Sequence, residues 1–387
     1  MIYVHVPFCR SFCTYCGFYS EICSRKETQQ VQNRLFEDYA EALCDEIDSR
    51  REEISAIREN DSFSPDTLYI GGGTPSVLPL AELERIVRAL GPATYEEFTV
   101  EVNPDDVVAG GAEYVAGLRA LGVNRISMGV QSFDDGILRW MNRRHDAAGA
   151  REAFRLLRAG GFDNVSIDLI FGLSQSTETI WESNIDEALA LGPEHISAYQ
   201  LSIEEDSVLE KMVTDGRYAE ASDEQCRSQY DTLCVKLAEA GYVHYEISNW
   251  ARPGREAVHN SAYWRRVPYV GLGPGAHSFS GSVRSWNSQE LPRREADGRL
   301  VRWRSGQEVL SEREAAEETV MLGLRTSAGL PLSRLRDISP AHAVDALLAE
   351  GALALIPPAP NNPDNPFVRI PEDHFFVSDD IIARLLP

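Results

Sequence analysis

The sequence predicts an α/β protein: a partial (β/α) barrel followed by a smaller, mostly helical, winged-helix-like domain. Three observations predict it. Short β-rich runs alternate with amphipathic stretches over the first two-thirds of the chain, and glycine-rich breaks close several of those stretches. Past about residue 290 the alternation gives way to a helix–helix–wing outline. Residues 1–290 are therefore read as a barrel with its capping segment, and 291–387 as a C-terminal helical domain.

In chain order, the expected strands are Ile2–Val6, Thr67–Ile70, Phe98–Val102, Arg125–Val130, Val165–Phe171 and Ile196–Leu201. Between them the spacing predicts helices over Leu35–Ile57, Leu80–Leu90, Glu113–Leu121, Ala148–Ala159 and Thr179–Leu191. Gly160-Gly161 and Gly192-Pro193 punctuate two of these. Such alternation implies βαβ units, a parallel sheet and right-handed crossovers, so the sheet curls the same way at every step. In barrels the chemistry sits at the C-terminal strand ends. Beyond residue 205 a helix near Asp223–Ala240 leads to an edge or capping strand, Tyr242–Trp250. Helices near Glu312–Leu324 and Ala341–Ala349 precede a turn-rich segment, Pro357 to Pro366. A short strand, Phe375–Val377, and a final helix, Asp379–Leu386, complete the outline.

Composition narrows the function. Hydrophobic residues make up 43% of the 387, as in globular proteins, and no run approaches a membrane span. The opening Met-Ile-Tyr-Val-His-Val-Pro-Phe lacks the pattern of a signal peptide. A net charge of −23 repels a phosphate backbone, so nucleic acid is not an expected partner. The densest basic stretches are Arg139 to Arg144 and Arg293 to Arg304, the second read as a solvated loop. Seven cysteines without an export signal argue for a reducing, cytoplasmic setting rather than a disulfide framework. Cys44, Cys226 and Cys234 fall in helical patterns and read as small apolar packing residues.

Cys9, Cys13 and Cys16 form a C-x3-C-x2-C run directly after the first strand. Thiolates are the usual ligands of iron–sulfur clusters. Three of them on a four-iron cubane leave one iron open to a small molecule. The alternative, a zinc loop, normally pairs two knuckles, and no second knuckle is present; Cys23 is left out of the ligand set. The motif resembles the radical S-adenosylmethionine (SAM) superfamily signature. That resemblance implies a [4Fe–4S] cluster whose open iron is chelated by SAM. It also implies reductive cleavage of SAM to a 5′-deoxyadenosyl radical, and Tyr15 packed near the adenine.

Gly71-Gly72-Gly73-Thr74-Pro75 follows the second strand. Three glycines alone also make a plain tight turn; at a strand end they let a ligand reach the backbone. The run resembles the family's GGGTP motif, which contacts the SAM amino group. Glu101, Gln131, Arg143 and Asp168 occupy later steps. A buried Asp168 needs a hydroxyl or cation partner. Arg143 is either a solvated helix end or a partner for a carboxylate of SAM or a porphyrin. Gly271-Leu-Gly273-Pro-Gly275 opens no helix, so a dinucleotide fold is rejected.

Together these blocks, with Tyr3-Val-His-Val-Pro-Phe-Cys9 and Tyr269–His277, resemble the oxygen-independent coproporphyrinogen III oxidase family. The resemblance implies that Tyr3, Gly72, Gly73, Thr74, Glu101, Gln131, Arg143 and Asp168 belong to the SAM site, some to a second SAM or substrate position. The family has an oxidase branch and a heme chaperone (HemW-like) branch. Cys9 lies near the start, Phe18 replaces the oxidase's further cysteine, and His259-Asn-Ser-Ala-Tyr263-Trp264 resembles the chaperone's proposed heme motif. Gly17 and Pro274 depart from residues common in the family, away from the three thiols. The implied function is a cytoplasmic heme chaperone serving respiratory proteins, associated peripherally with the membrane and dimeric. His259 is the candidate heme ligand, set against a plain turn with two core aromatics, and His277 is a second candidate. The alternative is the oxidase itself, which decarboxylates coproporphyrinogen III oxidatively to protoporphyrinogen IX.

Overall fold

The structure, a computed structural model, describes residues 1–23, 28–59, 65–293, 303, 305–357 and 365–386. Most of the stretches Arg293 to Arg304 and Pro357 to Pro366 lie outside the described residues.

The core is a nine-stranded sheet. Its strands are β1 (Ile2–Val6), β2 (Thr67–Gly72), β3 (Glu97–Val102), β4 (Arg125–Gln131), β5 (Val165–Phe171), β6 (His195–Gln200), β7 (Val243–Glu246), β8 (Asn249–Ala251) and β9 (Val270–Leu272). Their order is β9-β1-β2-β3-β4-β5-β6-β8-β7. Pairings from β9 to β6 are parallel; β8 and β7 finish the edge antiparallel. This is the partial barrel expected from the βα alternation. The expected strand Tyr242–Trp250 is a hairpin, β7 and β8, turning at Ile247 and Ser248.

Alternation along each strand explains the two faces. Ile2, Val4, Val6, Leu68, Ile70, Phe98 and Val100 point outward and are buried under the helices. Each such side chain contributes roughly 1.5–3 kcal/mol on burial. The inner face carries Tyr3, His5, Tyr69, Glu97, Thr99, Glu101, Arg125, Ser127, Asp168 and His195. A parallel sheet covered on both faces usually reads apolar throughout; here one face lines a polar interior instead.

The expected helix Leu35–Ile57 is two helices, Gln29–Ser49 and Arg51–Glu59. The joint at Arg50 frees its guanidinium to donate to Gly271 O at 2.6 Å and Ser278 Oγ at 2.9 Å. The helix expected at Glu113–Leu121 starts earlier, at Pro104, and kinks at Gly111, whose φ is 57°.

In the C-terminal segment, helices Glu312–Leu324, Leu332–Ile338 and Ala341–Glu350 pack with a three-stranded antiparallel sheet of Leu330–Pro331, Phe367–Arg369 and Ala354–Ile356. Residues Glu372–Val377 form a 3-10 helix rather than the expected strand at Phe375–Val377. Pro371 starts this turn, and His374 N donates to Pro371 O at 2.9 Å. The final helix is Ser378–Ala383, shorter than expected. Val283–Asn287 pairs with Ser305–Val309, a sheet that crosses the boundary expected at residue 290. Among the described residues no helix is long and apolar enough to cross a membrane.

Candidate cofactor site

A cavity of about 590 Å³ opens at the C-terminal ends of β1 to β6. Cys9, Cys13 and Cys16 all line it, with Tyr15 between them. Their loop is held at both ends. Phe8–Cys9 pairs in parallel with Glu21–Ile22, and Cys23 N donates to Cys9 O at 2.9 Å. On the far side Thr14 donates from its backbone to Met141 O (3.1 Å) and from its hydroxyl to Trp140 O (2.8 Å). Asn142 Nδ2 donates to Phe12 O at 2.7 Å. Arg143, next along, places Nη1 at 3.5 Å from Cys13 Sγ, and Nη2 donates to Gly129 O. Burial pushes the Cys16 thiol up to about 11 and raises Cys9. Thiols so placed ionise readily only against a cation. None of the seven cysteines forms a disulfide. Cys23 is buried in the core, away from the cavity lining.

The glycine run lies against this loop. Thr74 Oγ1 is 3.3 Å from Cys9 Sγ. A Cβ on Gly73 would stand 2.8 Å from Phe8 O and 3.1 Å from Cys9 Sγ. Gly72 has φ +113°, and a Cβ there would meet the His5 ring at 2.6 Å. A side chain at Gly73 would push the cysteine loop away, and one at Gly72 would displace His5. Glu101 accepts from Tyr69 Oη at 2.8 Å and Gly72 N at 3.1 Å, yet burial pushes its carboxyl up to about 7. Burial likewise lifts Asp168 to about 6, with Ser127 Oγ at 3.4 Å. Gln131 closes β4 with φ 70°, where β4 and β5 slip register. Its Oε1, like Arg143 Nε, is buried without a hydrogen-bond partner among the described residues. Strain and unpaired polar atoms converge where a polar ligand would satisfy them.

Cys9, Cys13, Cys16, Tyr15, Gly72, Gly73, Thr74, Glu101, Gln131, Arg143 and Asp168 therefore share one cavity lining. Tyr3 does not join them: its hydroxyl is 3.0 Å from His5 Nδ1, and its ring stacks on Tyr69 at 6.1 Å. His5 Nε2 in turn lies 3.1 Å from Tyr19 O, so Tyr3 reaches the cysteine loop only through His5.

His259 lies at the other end of the strands. Its Nδ1 is 2.7 Å from Thr67 Oγ1 and its Nε2 is 2.8 Å from Tyr263 Oη. Glu97 accepts from Val258 N (2.7 Å) and His259 N (3.2 Å). The residue is 1% exposed, and burial lowers its pKa to about 3. The expectation of a heme ligand meets a geometric obstacle: both ring nitrogens are engaged and neither faces the cavity. His277 is exposed on a short strand, its ring stacked on Trp286.

The sequence reading missed Tyr69, Ser127, His5 and Tyr199. Period-two spacing from Gly71, Gly129, Tyr3 and Ser197 would have put them on the inner face.

The fold and this cavity define a radical SAM protein. A family profile described as the radical SAM superfamily matches residues 3–184. A Synechocystis protein called heme chaperone HemW is 35% identical, over 87% of this chain and 80% of the relative. A Bacillus subtilis protein of the same name is also 35% identical, over 87% of this chain and 86% of the relative. The solved structure of Escherichia coli coproporphyrinogen III oxidase (HemN), described as a radical SAM enzyme, matches with a TM-score of 0.75. It covers 99% of this chain and 89% of that one at 21% identity, and so shows the shared fold. The chain belongs to the HemW family of radical SAM proteins. The cofactors that the superfamily implies are a [4Fe–4S] cluster and SAM.

Proposed function

We propose that Cys9, Cys13 and Cys16 hold the [4Fe–4S] cluster, that the adjoining cavity holds SAM, and that the protein binds heme and hands it to other proteins. The observation that carries this reading is the single cavity uniting three thiols with the glycine run, two raised carboxyls and an unpaired Gln131 oxygen. The residues fit the groups. Gly73 leaves room beside Cys9, and Arg143 supplies positive charge against Cys13. The chemistry a bound cluster supplies is one-electron reduction at an iron free of protein ligands. Around it, Glu101 and Asp168 would accept hydrogen bonds from SAM, Gln131 would offer its free oxygen to a donor, and Tyr15 would supply an aromatic wall for the adenine.

Heme as cargo rests on the relatives that carry the chaperone name. Phe18, 74% exposed, and Phe12, 51% exposed, form an apolar rim at the cavity mouth that suits a macrocycle face. In this reading His259 plugs the barrel floor. The acceptors are respiratory proteins, met at the membrane periphery by a cytoplasmic, dimeric chaperone. The sheet joining Val283–Asn287 to Ser305–Val309 supports a domain boundary nearer residue 310 than 290.

The test is anaerobic reconstitution followed by heme titration and product analysis, on wild type and His259→Ala. Expected are saturable heme binding in both and no accumulation of protoporphyrinogen. Absence of heme binding would remove the chaperone reading, and steady protoporphyrinogen formation would establish the oxidase alternative.

A further inference from the structure

We infer that Cys234, His244 and Glu372 form a second metal site, for a thiophilic divalent ion of the zinc type, at the seam between the barrel and the C-terminal segment. Cys234 comes from helix Asp223–Glu239, His244 from β7 and Glu372 from the first residue of the 3-10 helix Glu372–Val377. Their ligand atoms all lie within 4.8 Å of one another.

The histidine carries the argument. Its Nε2 lies 3.4 Å from Ile247 O, and its Nδ1 lies 3.1 Å from Glu372 Oε1. Both neighbours, a carbonyl and a carboxylate, only accept, so a ring with a single proton leaves one nitrogen lone pair facing an acceptor; with the proton on Nε2 that nitrogen is Nδ1. Nδ1 then turns a lone pair toward a carboxylate. Two acceptors at that spacing need a second proton or a cation between them. A metal answers both, and an Nε2–H on a backbone carbonyl is the outer partner that orients metal-bound histidines. The ring is already fixed, stacked on Trp250 at 4.0 Å and 15° and edge-on to Phe375 at 5.0 Å.

Tetrahedral zinc, with bonds of about 2.0–2.3 Å, sets neighbouring donors roughly 3.3–3.6 Å apart. The 3.1 Å His244–Glu372 spacing is close to that, and the Cys234 sulfur lies within 4.8 Å of both. The Glu372 side chain is 54% exposed, so water reaches the fourth position while the His244 side chain stays 1% exposed. A sulfur and an imidazole in the donor set select zinc over magnesium or calcium. An ion here would tie Glu372, and the segment it belongs to, to β7 of the barrel.

The test uses the full chain with its iron cluster reconstituted, incubated with equimolar zinc sulfate, desalted and analysed for zinc and iron by mass spectrometry. Expected is one retained zinc per chain with iron unchanged. Cys234→Ser and His244→Gln lose the zinc while keeping their iron. Glu372→Gln, at an exposed position that spares the fold, weakens zinc by at least the ~10–100-fold that disturbing an outer partner costs. Zinc also raises the Tm of wild type and leaves that of Glu372→Gln unmoved. A triple Cys9→Ala, Cys13→Ala, Cys16→Ala chain still takes up one zinc. The proposal is overturned if wild type retains no zinc, if Cys234→Ser and Glu372→Gln retain as much as wild type, or if uptake vanishes with the triple substitution. Iron content reports on the cluster separately, so the two sites fail independently.

Discussion

Replacing Glu101 by glutamine will stabilise the cofactor-free protein at pH 8 and mildly destabilise it at pH 4. The carboxyl is pushed from 4.5 to about 7 by burial, despite its two donors. Below the unfolded-state value the group is neutral in both states and burial carries no charge penalty. Between that value and 7 the folded state holds more protons than the unfolded, so stability falls as pH rises; above about 7 the penalty is complete. At 1.36 kcal/mol per unit, the rise from 4.5 to about 7 corresponds to roughly 3 kcal/mol. A glutamine oxygen keeps only one of the two donors, Tyr69 Oη and Gly72 N, a loss of about 1 kcal/mol. Glu101→Gln therefore gains about 2 kcal/mol at pH 8, where the wild type carries the full penalty, and loses about 1 kcal/mol at pH 4, below the unfolded-state value, where the penalty is nearly absent. Thermal melts of wild type and variant at the two pH values measure this, with Tm differences of a few degrees and opposite sign. Other titrating groups are common to both proteins and cancel. A Tm difference that is the same at both pH values would refute burial as the cause. With cluster present, the variant binds SAM about 10–100-fold more weakly, the range for losing a charge-assisted hydrogen bond.

Each of Cys9→Ser, Cys13→Ser and Cys16→Ser lowers reconstituted iron far below wild type, measured as iron per chain, whereas Cys23→Ser leaves it unchanged. Gly73→Ala also lowers iron occupancy, because its methyl meets Phe8 O and Cys9 Sγ, with about 1–3 kcal/mol of overpacking read from the melt. His259→Ala leaves the Thr67 and Tyr263 hydroxyls unpaired in the barrel floor and destabilises by about 2–4 kcal/mol, while heme affinity in a titration stays at the wild-type value.

The strands and the cavity were legible because both follow from local rules. Ile2–Val6 and Val165–Phe171 match the structure residue for residue, since apolar residues alternate or run between clear breaks. Cys9, Gly72, Gly73 and Glu101 each lie at or just past the end of a strand, Asp168 sits inward along Val165–Phe171, and parallel crossovers bring all such ends to one side. What escaped depends on pairs far apart in sequence. Glu97 and His259 are 162 positions apart, and nothing local in His259-Asn-Ser-Ala says that a carboxylate from another strand end holds it. Cys234 read as a packing residue because its helix pattern is apolar there, while its neighbour Glu372 arrives from the far end of the chain. The first turns of the helix Pro104–Ala120 are hard to read locally, because Gly110-Gly111 interrupts the apolar pattern where the helix kinks.

The account rests on a cluster bound by three thiols, with one iron left for SAM. Electron paramagnetic resonance of the anaerobically reconstituted, reduced protein tests this most directly, with and without SAM. The account predicts a [4Fe–4S]⁺ signal that changes shape when SAM is added and that Cys9→Ser, Cys13→Ser and Cys16→Ser each abolish. A signal indifferent to SAM, or one that survives loss of any of the three thiols, would contradict it.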